Sequence, residues 1–159
     1  MGGVRDGTGE RQEAGADQMG TILGVILTSA LTITGAILVY AFTRIYVEPG
    51  IDLRRVIGEI DYALYFYADI YTNPGKSKTE YMQEAHEALR RLASELVSRA
   101  NAIIHYGLAR CFCMLPSSGN VQEASKELRF LSNSIFQGDA SENKKARNNI
   151  QKLLGLKAW

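Results

Sequence analysis

Two histidines and two cysteines are the residues of this sequence whose side chains most readily do chemistry. His86 is followed by Glu87, which is how the zinc-protease pattern His-Glu-x-x-His begins, but Arg90 stands where the second histidine belongs. That pattern needs two histidines on successive turns of one helix face to bind the metal. The pair therefore predicts no zinc-protease site.

His105, Cys111 and Cys113 could in principle supply three metal ligands. On a helix, however, the two cysteine side chains would point about 200° apart, and zinc sites usually place two to four residues between cysteines. The cysteines are also too close for an unstrained disulfide within a helix. We therefore expect no metal ion at these residues. We expect both cysteines to be free thiols that pack as small apolar side chains, in a protein of a reducing compartment.

A tyrosine-rich segment, residues 59–71, is the other candidate for chemistry. Its side chains could handle protons or line an aromatic ligand groove, or they could flank a helical core with their polar ends in water; we favour the second interpretation. The residues concerned are Glu59, Asp61, Asp69, Tyr62, Tyr65, Tyr67 and Tyr71. The sequence has no Gly-rich phosphate loop, and no serine or cysteine has an identifiable base. We predict no catalytic residue and no cofactor, and keep an enzyme only as an alternative.

The most distinctive element of the sequence is a charge-free run from Gln18 to Thr43, which precedes all of these residues. A helix of that length measures about 39 Å, against a hydrocarbon core of about 30 Å. A secretory signal would begin with basic residues, whereas acidic residues outnumber basic residues before this run. The sequence predicts a single transmembrane helix over residues 19–46, preceded by a disordered tail over residues 1–18.

Small residues recur every four positions along the predicted span. In lipid, helices associate where small side chains let the backbones approach closely, so this row is a candidate interface for self-association. Chance is the alternative, because small residues are common in membrane helices. The row consists of Gly20, Gly24, Thr28, Thr32 and Ala36.

The arginines near the span predict its orientation. Arg5 and Arg11 precede it, whereas Arg44, Arg54 and Arg55 follow it. Since the side richer in Lys and Arg stays in the cytoplasm, we expect a single-pass protein of the cell membrane with its N-terminus outside and its C-terminal domain in the cytoplasm.

Beyond Pro49-Gly50 the apolar residues recur with helical spacing, and no stretch alternates with a period of two. The sequence therefore predicts an all-α protein in which residues 51–159 form a small antiparallel bundle of about four helices. The expected helices cover residues 51 to 72, a segment from a Ser77–Glu80 capping box to Pro116 with a kink near Gly107, a third from Ser118 or Asn120, and a last one from about Ser141.

The C-terminal segment is basic on one side and apolar on the other. It could lie on the anionic inner leaflet of the membrane or close the bundle with a basic outer face, and we favour the second. The residues that would contact the membrane are Lys144, Lys145, Arg147, Lys152, Lys157 and Trp159. The net charge of +1 is too small for a dedicated nucleic-acid binder, so we expect no nucleic-acid partner.

Three strings, DYALYFYADIYTNPG, EALRRLASELVSRANAI and EASKELRFLSNSIFQGD, resemble short membrane-anchored helical proteins of prokaryotes that have no assigned activity. The resemblance spans roughly residues 55–155, implies a helical cytoplasmic domain and transfers no catalytic residue. Together these observations predict a non-enzymatic interaction or scaffold module, tethered to the bilayer, that binds itself or another protein. The alternatives are a small membrane-perturbing effector assembled through its span, and a membrane-bound enzyme or small-ligand sensor.

Overall fold

The computed structural model describes the backbone of residues 8–157 and the side chains of residues 19–157. Within that range every regular element is helical and no strand occurs, which confirms the predicted all-α class. The chain divides into two units between Phe42 and Thr43. The elements are α1 (Thr8–Phe42), a π-helical turn (Thr43–Val47), α2 (Glu48–Phe66), α3 (Ala68–Thr72), α4 (Thr79–Asn101), α5 (Tyr106–Cys113), α6 (Ser118–Ser134) and α7 (Ala140–Leu154).

Helix α1 contains the charge-free run. Its large apolar side chains are exposed. The helical segment Met19–Phe66, which begins within α1 and ends with α2, is the one segment in the described part of the chain that is long and apolar enough to cross a membrane. The tail predicted to be disordered covers residues 1–18. The backbone of residues 8–18 is helical, and residues 1–7 lie outside the described range. Threonine hydroxyls along α1 donate to carbonyls one turn earlier, so their polarity is satisfied within the helix.

Pro49-Gly50 suggests that a helix ends at these two residues. In the structure a π-helical turn, Thr43–Val47, lies just before them. Pro49 has no N–H to donate to the carbonyl of Ile45, and in a regular α-helix its ring would collide with that carbonyl. The wider π turn just before the proline changes the register of these carbonyls. This explains why the backbone stays helical into α2 instead of breaking.

The unit that begins at Thr43 has a hydrophobic core of its own. The stripe predicted for the first amphipathic helix is confirmed, because all its residues are buried: Leu53, Val56, Ile57, Ile60, Leu64, Tyr67 and Tyr71. The stripe predicted for the third helix is buried as well: Val121, Ala124, Leu128, Leu131 and Ile135. Each fully buried leucine or isoleucine contributes about 1.5–3 kcal/mol through apolar burial, and these residues join α2 to α4, α4 to α6, and α6 to α7.

Two predicted helices are each divided in the structure. The helix expected over residues 51–72 is interrupted at Tyr67, between α2 and α3, and the one expected up to Pro116 is interrupted between Asn101 and Tyr106. The capping box does not form, because α4 begins after Lys78 with no side-chain cap. The helical spacing of Tyr81 with Ala85 and Leu89 predicts that Tyr81 lies on the buried face of α4. In the structure Tyr81 is 54% exposed, and the neighbouring Met82 is buried instead.

Polar contacts tie the helices of this unit together. Ser125 Oγ donates to the carbonyl of Ala93 at 2.9 Å, and His86 Nδ1 lies 3.0 Å from the carbonyl of Ser132. Between α6 and α7, Asn149 Nδ2 donates to Glu127 Oε1 at 2.9 Å. These bonds satisfy polar groups at the helix contacts, where an unpaired group would cost about 1–3 kcal/mol.

A buried asparagine adds a second tie at the start of α7. Asn143 is fully buried, and its Nδ2 donates to the carbonyl of Tyr71 at 2.7 Å, while its Oδ1 accepts from the hydroxyl of Ser134. The side chain thus uses both its donor and its acceptor, and it joins α3 and α6 to α7.

Candidate functional site

The short helix α5 exposes an apolar face. Leu108 and Phe112 lie four residues apart, and are therefore on one side of the helix, where they are 51% and 62% exposed. Ala109 and Cys113, on the other side, are buried against the rest of the unit. At the two ends of α5, Ile104 is 74% exposed and Met114 is 81% exposed. We call Leu108 and Phe112 the α5 apolar surface.

A glycine determines where α5 lies. A Cβ atom built on Gly50 would be 2.6 Å from Cys113 Sγ and 3.1 Å from Cys113 Cβ, so only glycine lets the end of α5 pack this closely on the first turn of α2. The Cys113 thiol also lies 4.0 Å from the carbonyl of Val47 in the π turn. The rings of Tyr46 and His105 stack at 6.0 Å with an interplanar angle of 25°. Helix α5 therefore packs beside residues 43–47, which directly follow α1 in the chain.

A cavity of about 490 Å³ lies beside α5. Three basic residues line it, Arg54 from α2, Arg110 from α5 and Lys152 from α7, and the lining contains no acidic residue. In the part of the chain that the structure describes, the ion pairs involve other residues, such as Arg99 with Asp52 and Glu95. The rest of the lining is Ile57, Gly58, Met114, Leu115, Pro116, Ser117, Asn120, Leu153, Leu154, Gly155 and Leu156. The cavity thus combines a positive potential with an apolar wall, which suits an anionic amphiphile.

Hydrogen bonds fix the walls of this cavity. Tyr106 Oη donates to the carbonyl of Pro116 at 2.9 Å, and Asn120 Nδ2 donates to the carbonyl of Leu153 at 3.3 Å. Burial raises the pKa of Tyr106, and the nearby positive charge of Arg110 opposes that rise only in part. The phenol therefore stays neutral at physiological pH and serves as a structural donor.

The small-residue row predicted as a span interface lies on the exposed surface of α1. Thr28, Thr32 and Ala36 are exposed, and a Cβ atom at Gly20 or Gly24 would have no neighbour within 4 Å. The row is therefore free to meet another helix, and its role as an interface stays a prediction.

The predicted basic membrane-contact residues are divided in the structure. Lys144, Lys145 and Lys157 are exposed. Arg147 is half-buried and lies close enough to Tyr71 to lower its pKa against the larger effect of burial. Lys152 joins Arg54 and Arg110 at the cavity. The last residue of this set, Trp159, lies outside the described residues.

The grouping of Arg54 and Arg110 with Lys152 is not predicted from the sequence, and neither is the α5 apolar surface. The spacing of Leu108 and Phe112 is a local signal of an apolar face, but the sequence predicts that this segment belongs to one long core helix up to Pro116. The grouping of the three cations has no local signal, because it depends on α2, α5 and α7 meeting in space.

Three of the candidate metal ligands, His86, His105 and Cys113, contact neighbouring residues of the protein. Cys111 is exposed and Cys113 is buried, and among the side chains that the structure describes, those of residues 19–157, no group of three His, Cys, Asp or Glu could hold a metal ion. His86 Nδ1 contacts the carbonyl of Ser132 instead. The ring of His105 stacks on Tyr46.

The tyrosine-rich segment contributes to the core as well as to the surface. Tyr71 is fully buried, and its hydroxyl donates to the carbonyl of Leu64 at 2.6 Å. Tyr67 is buried and donates to Glu84 Oε1 at 3.1 Å. Tyr62 and Tyr65 are exposed, as the interpretation of a solvated flank predicts. The buried hydroxyls therefore have structural partners.

Comparison of the chain with models of protein families, with curated proteins and with solved structures gives no match. The resemblance to short membrane-anchored prokaryotic proteins therefore stays a prediction. What the chain does has to be inferred from its own helices and surfaces.

Proposed function

We propose that the protein is a membrane-tethered, non-enzymatic interaction module, with α1 crossing the cell membrane and the helices after Thr43 forming a cytoplasmic scaffold. The observation that carries this proposal is the contrast between the two units. The apolar side chains of α1 are exposed along the whole described span, whereas the second unit buries a core of its own. Exposed apolar residues in such number are stable in lipid and not in water.

The helices of the second unit are proposed to form an antiparallel bundle. Two contacts support opposite directions for α4 and α6. His86, near the start of α4, contacts Ser132, near the end of α6, and Ala93, later in α4, contacts Ser125, earlier in α6. The same reversal relates α6 to α7, where Ser134 contacts Asn143 and Glu127 contacts Asn149. Short connections between neighbouring helices favour this arrangement. Such a bundle is a rigid platform whose outer faces are available to a partner or to a second copy.

Membrane insertion can be tested by placing a charge in the middle of α1. Leu31 is 76% exposed, so Leu31→Arg does not disturb a buried core. An arginine at the centre of a span costs about 2.5–3.5 kcal/mol of insertion free energy. We expect the variant to leave the carbonate-resistant membrane fraction, whereas Leu31→Val remains in it. Full retention of Leu31→Arg would contradict the proposal that α1 is a single lipid-facing span.

The orientation can be tested by adding one cysteine to a Cys111→Ser background, in which the remaining cysteine, Cys113, is buried. Gly7→Cys labels the tail, and Asn133→Cys labels an exposed position on α6. A membrane-impermeant maleimide should modify position 7 in intact spheroplasts and position 133 only after permeabilisation. The reverse pattern would place the helical scaffold outside the cell.

A further inference from the structure

We propose that the cavity lined by Arg54, Arg110 and Lys152 binds a small, water-soluble phosphate monoester that carries an apolar group. All the residues that line this cavity belong to the unit that begins at Thr43, so binding there would not depend on whether α1 crosses a membrane. A ligand site of this kind adds recognition of a small molecule to the interaction module.

The first observation is that cations from three helices meet at one cavity. Arg54 lies on α2, Arg110 on α5 and Lys152 on α7, and the described residues that line the cavity include no acid. Among the side chains that the structure describes, none of these three forms an ion pair, whereas Arg55 pairs with Glu59. Like charges that are held together repel one another, and an anion between them would replace this repulsion with attraction.

The charge of the cavity indicates the charge of its ligand. Helices α5 and α7 end at the cavity, with Met114 and Gly155 as their C-cap residues, and each C-terminus contributes about half a negative charge. Helix α6 begins there, after its N-cap Ser117, and adds about half a positive charge. The three cations exceed these contributions and leave the cavity with a charge of about +2. A phosphate monoester carries about −1.5 to −2 at pH 7 and matches this charge better than a singly charged carboxylate does.

The second observation is the size of the cavity and the chemistry of its wall. The volume of about 490 Å³ lies within the range of about 300–1,000 Å³ that small-molecule sites occupy. Pro116, Leu153 and Leu156 are half-buried in the wall, and Met114 is exposed there. Apolar side chains beside a group of cations suit the organic part of a phosphate ester. A diacyl lipid, with two long chains, is much larger than this cavity, which favours a soluble ligand.

The third observation is a strained residue in the wall. Met114 has φ 48° and ψ 45°, and it is the one non-glycine residue with a positive φ in the part of the chain that the structure describes. This left-handed conformation is unfavourable for a residue with a Cβ atom, and such conformations cluster at ligand sites. Burial does not compensate the strain, because Met114 is 81% exposed. The strain fits a residue whose flexible, polarisable side chain contacts the apolar group of the ligand.

The test measures binding to the full-length protein in a neutral detergent by isothermal titration calorimetry. The probes are phenyl phosphate, inorganic phosphate, phenyl sulfate and dioctanoyl phosphatidic acid. We expect phenyl phosphate to bind saturably, about tenfold or more tightly than inorganic phosphate, which lacks the apolar group, and than phenyl sulfate, which carries a single charge.

Three results would overturn the proposal. They are the absence of saturable binding of phenyl phosphate, equal affinity for phenyl phosphate and phenyl sulfate, and binding of the phosphatidic acid without binding of phenyl phosphate. The last result would assign the cavity to a lipid. Because calorimetry in detergent does not depend on membrane insertion, failure of this test leaves the span unaffected, and failure of Leu31→Arg to leave the membrane leaves the ligand site unaffected.

The role of the cations is tested with matched pairs of variants. Arg54→Gln together with Arg110→Gln should weaken the binding of phenyl phosphate about tenfold or more, because both residues line the cavity. Lys144→Gln together with Lys145→Gln removes the same charge from exposed positions of α7 outside the cavity and should leave the affinity unchanged. Equal weakening by the two pairs would show only long-range attraction and would refute the site.

The variant Met114→Gly separates contact with the ligand from folding. Glycine adopts a positive φ readily, so urea unfolding should show that the variant is at least as stable as the wild type. Its affinity for phenyl phosphate should nevertheless fall by about threefold or more, while its affinity for inorganic phosphate stays unchanged. An unchanged affinity for phenyl phosphate would refute the assignment of this wall to the apolar group of the ligand.

Discussion

The contact between Gly50 and Cys113 gives the sharpest test of how α5 is held. Gly50→Ala would place a methyl group 2.6 Å from Cys113 Sγ, a distance that real side chains do not adopt. Overpacking of this kind costs about 1–3 kcal/mol, while alanine is better than glycine in a helix by about 1 kcal/mol. The net expectation is a loss of about 0–2 kcal/mol in the free energy of unfolding.

A second glycine in the same helix separates these two effects. Gly58 is exposed, and a Cβ atom there would have no neighbour within 4 Å, so Gly58→Ala should gain about 1 kcal/mol. The difference between the two variants therefore isolates the overpacking term of about 1–3 kcal/mol. Urea unfolding of the full-length protein in detergent, followed by circular dichroism, measures it as a change in midpoint at constant slope.

A double-mutant cycle identifies the atom responsible. Cys113→Ala removes Sγ, the nearest atom, and leaves the Cβ that lies 3.1 Å away. Gly50→Ala should therefore cost at least about 0.5 kcal/mol less in the Cys113→Ala background than in the wild type. If Gly50→Ala stabilises the protein as much as Gly58→Ala does, or if its cost is independent of Cys113, then α5 does not pack against α2 in this way.

Three further predictions concern the span and the core. Gly24→Ile should weaken self-association of the full-length protein in a cross-linking assay, because a large side chain keeps two spans apart, whereas Ile26→Leu, about 160° away around the helix, should not; equal cross-linking would exclude the small-residue row. Asn143→Leu should lower the free energy of unfolding by about 1–3 kcal/mol, because it leaves the buried carbonyl of Tyr71 without its hydrogen bond; an unchanged urea midpoint would contradict this. Burial raises the pKa of Tyr71 above its unfolded value of 10.0, so this phenol contributes stability that is intact below pH 10 and is lost as the pH rises through the folded pKa. Tyr71→Phe should therefore flatten the alkaline loss of stability in a pH series of unfolding curves, and an unchanged slope would refute the assignment.

The sequence pattern predicts much of the core because helical spacing depends on local residues. Leu53, Ile60, Leu64 and Leu128 are all buried as their spacing indicates. The starts of helices are harder to predict, since several residues near Ser77 could cap α4 and the structure begins it after Lys78. Which of two neighbouring residues is buried is equally hard to predict, because a rotation of the helix by one residue places Met82 instead of Tyr81 on the buried face.

The candidate site depends on contacts that no local pattern contains. The break between α4 and α5 falls at residues 102–105, a stretch without glycine or proline, whereas the sequence predicts only a kink, and places it near Gly107. Gly50 looks like part of a Pro-Gly turn, and its actual role, to let Cys113 approach, joins residues far apart in the chain. The cavity likewise needs the positions of three helices. Sequence reasoning can find the amphipathic helices but not how their ends meet.

The threonines of α1 have a further consequence. Thr28, Thr32 and Thr34 each donate their hydroxyl hydrogen to a carbonyl one turn earlier, so what they direct outward is largely a methyl group. An ion or a file of water molecules crossing the bilayer would need those hydroxyls to replace its lost hydration, and each replacement would first have to break a bond that is strong in lipid. Helix α1 is therefore less polar at these three positions than its composition suggests.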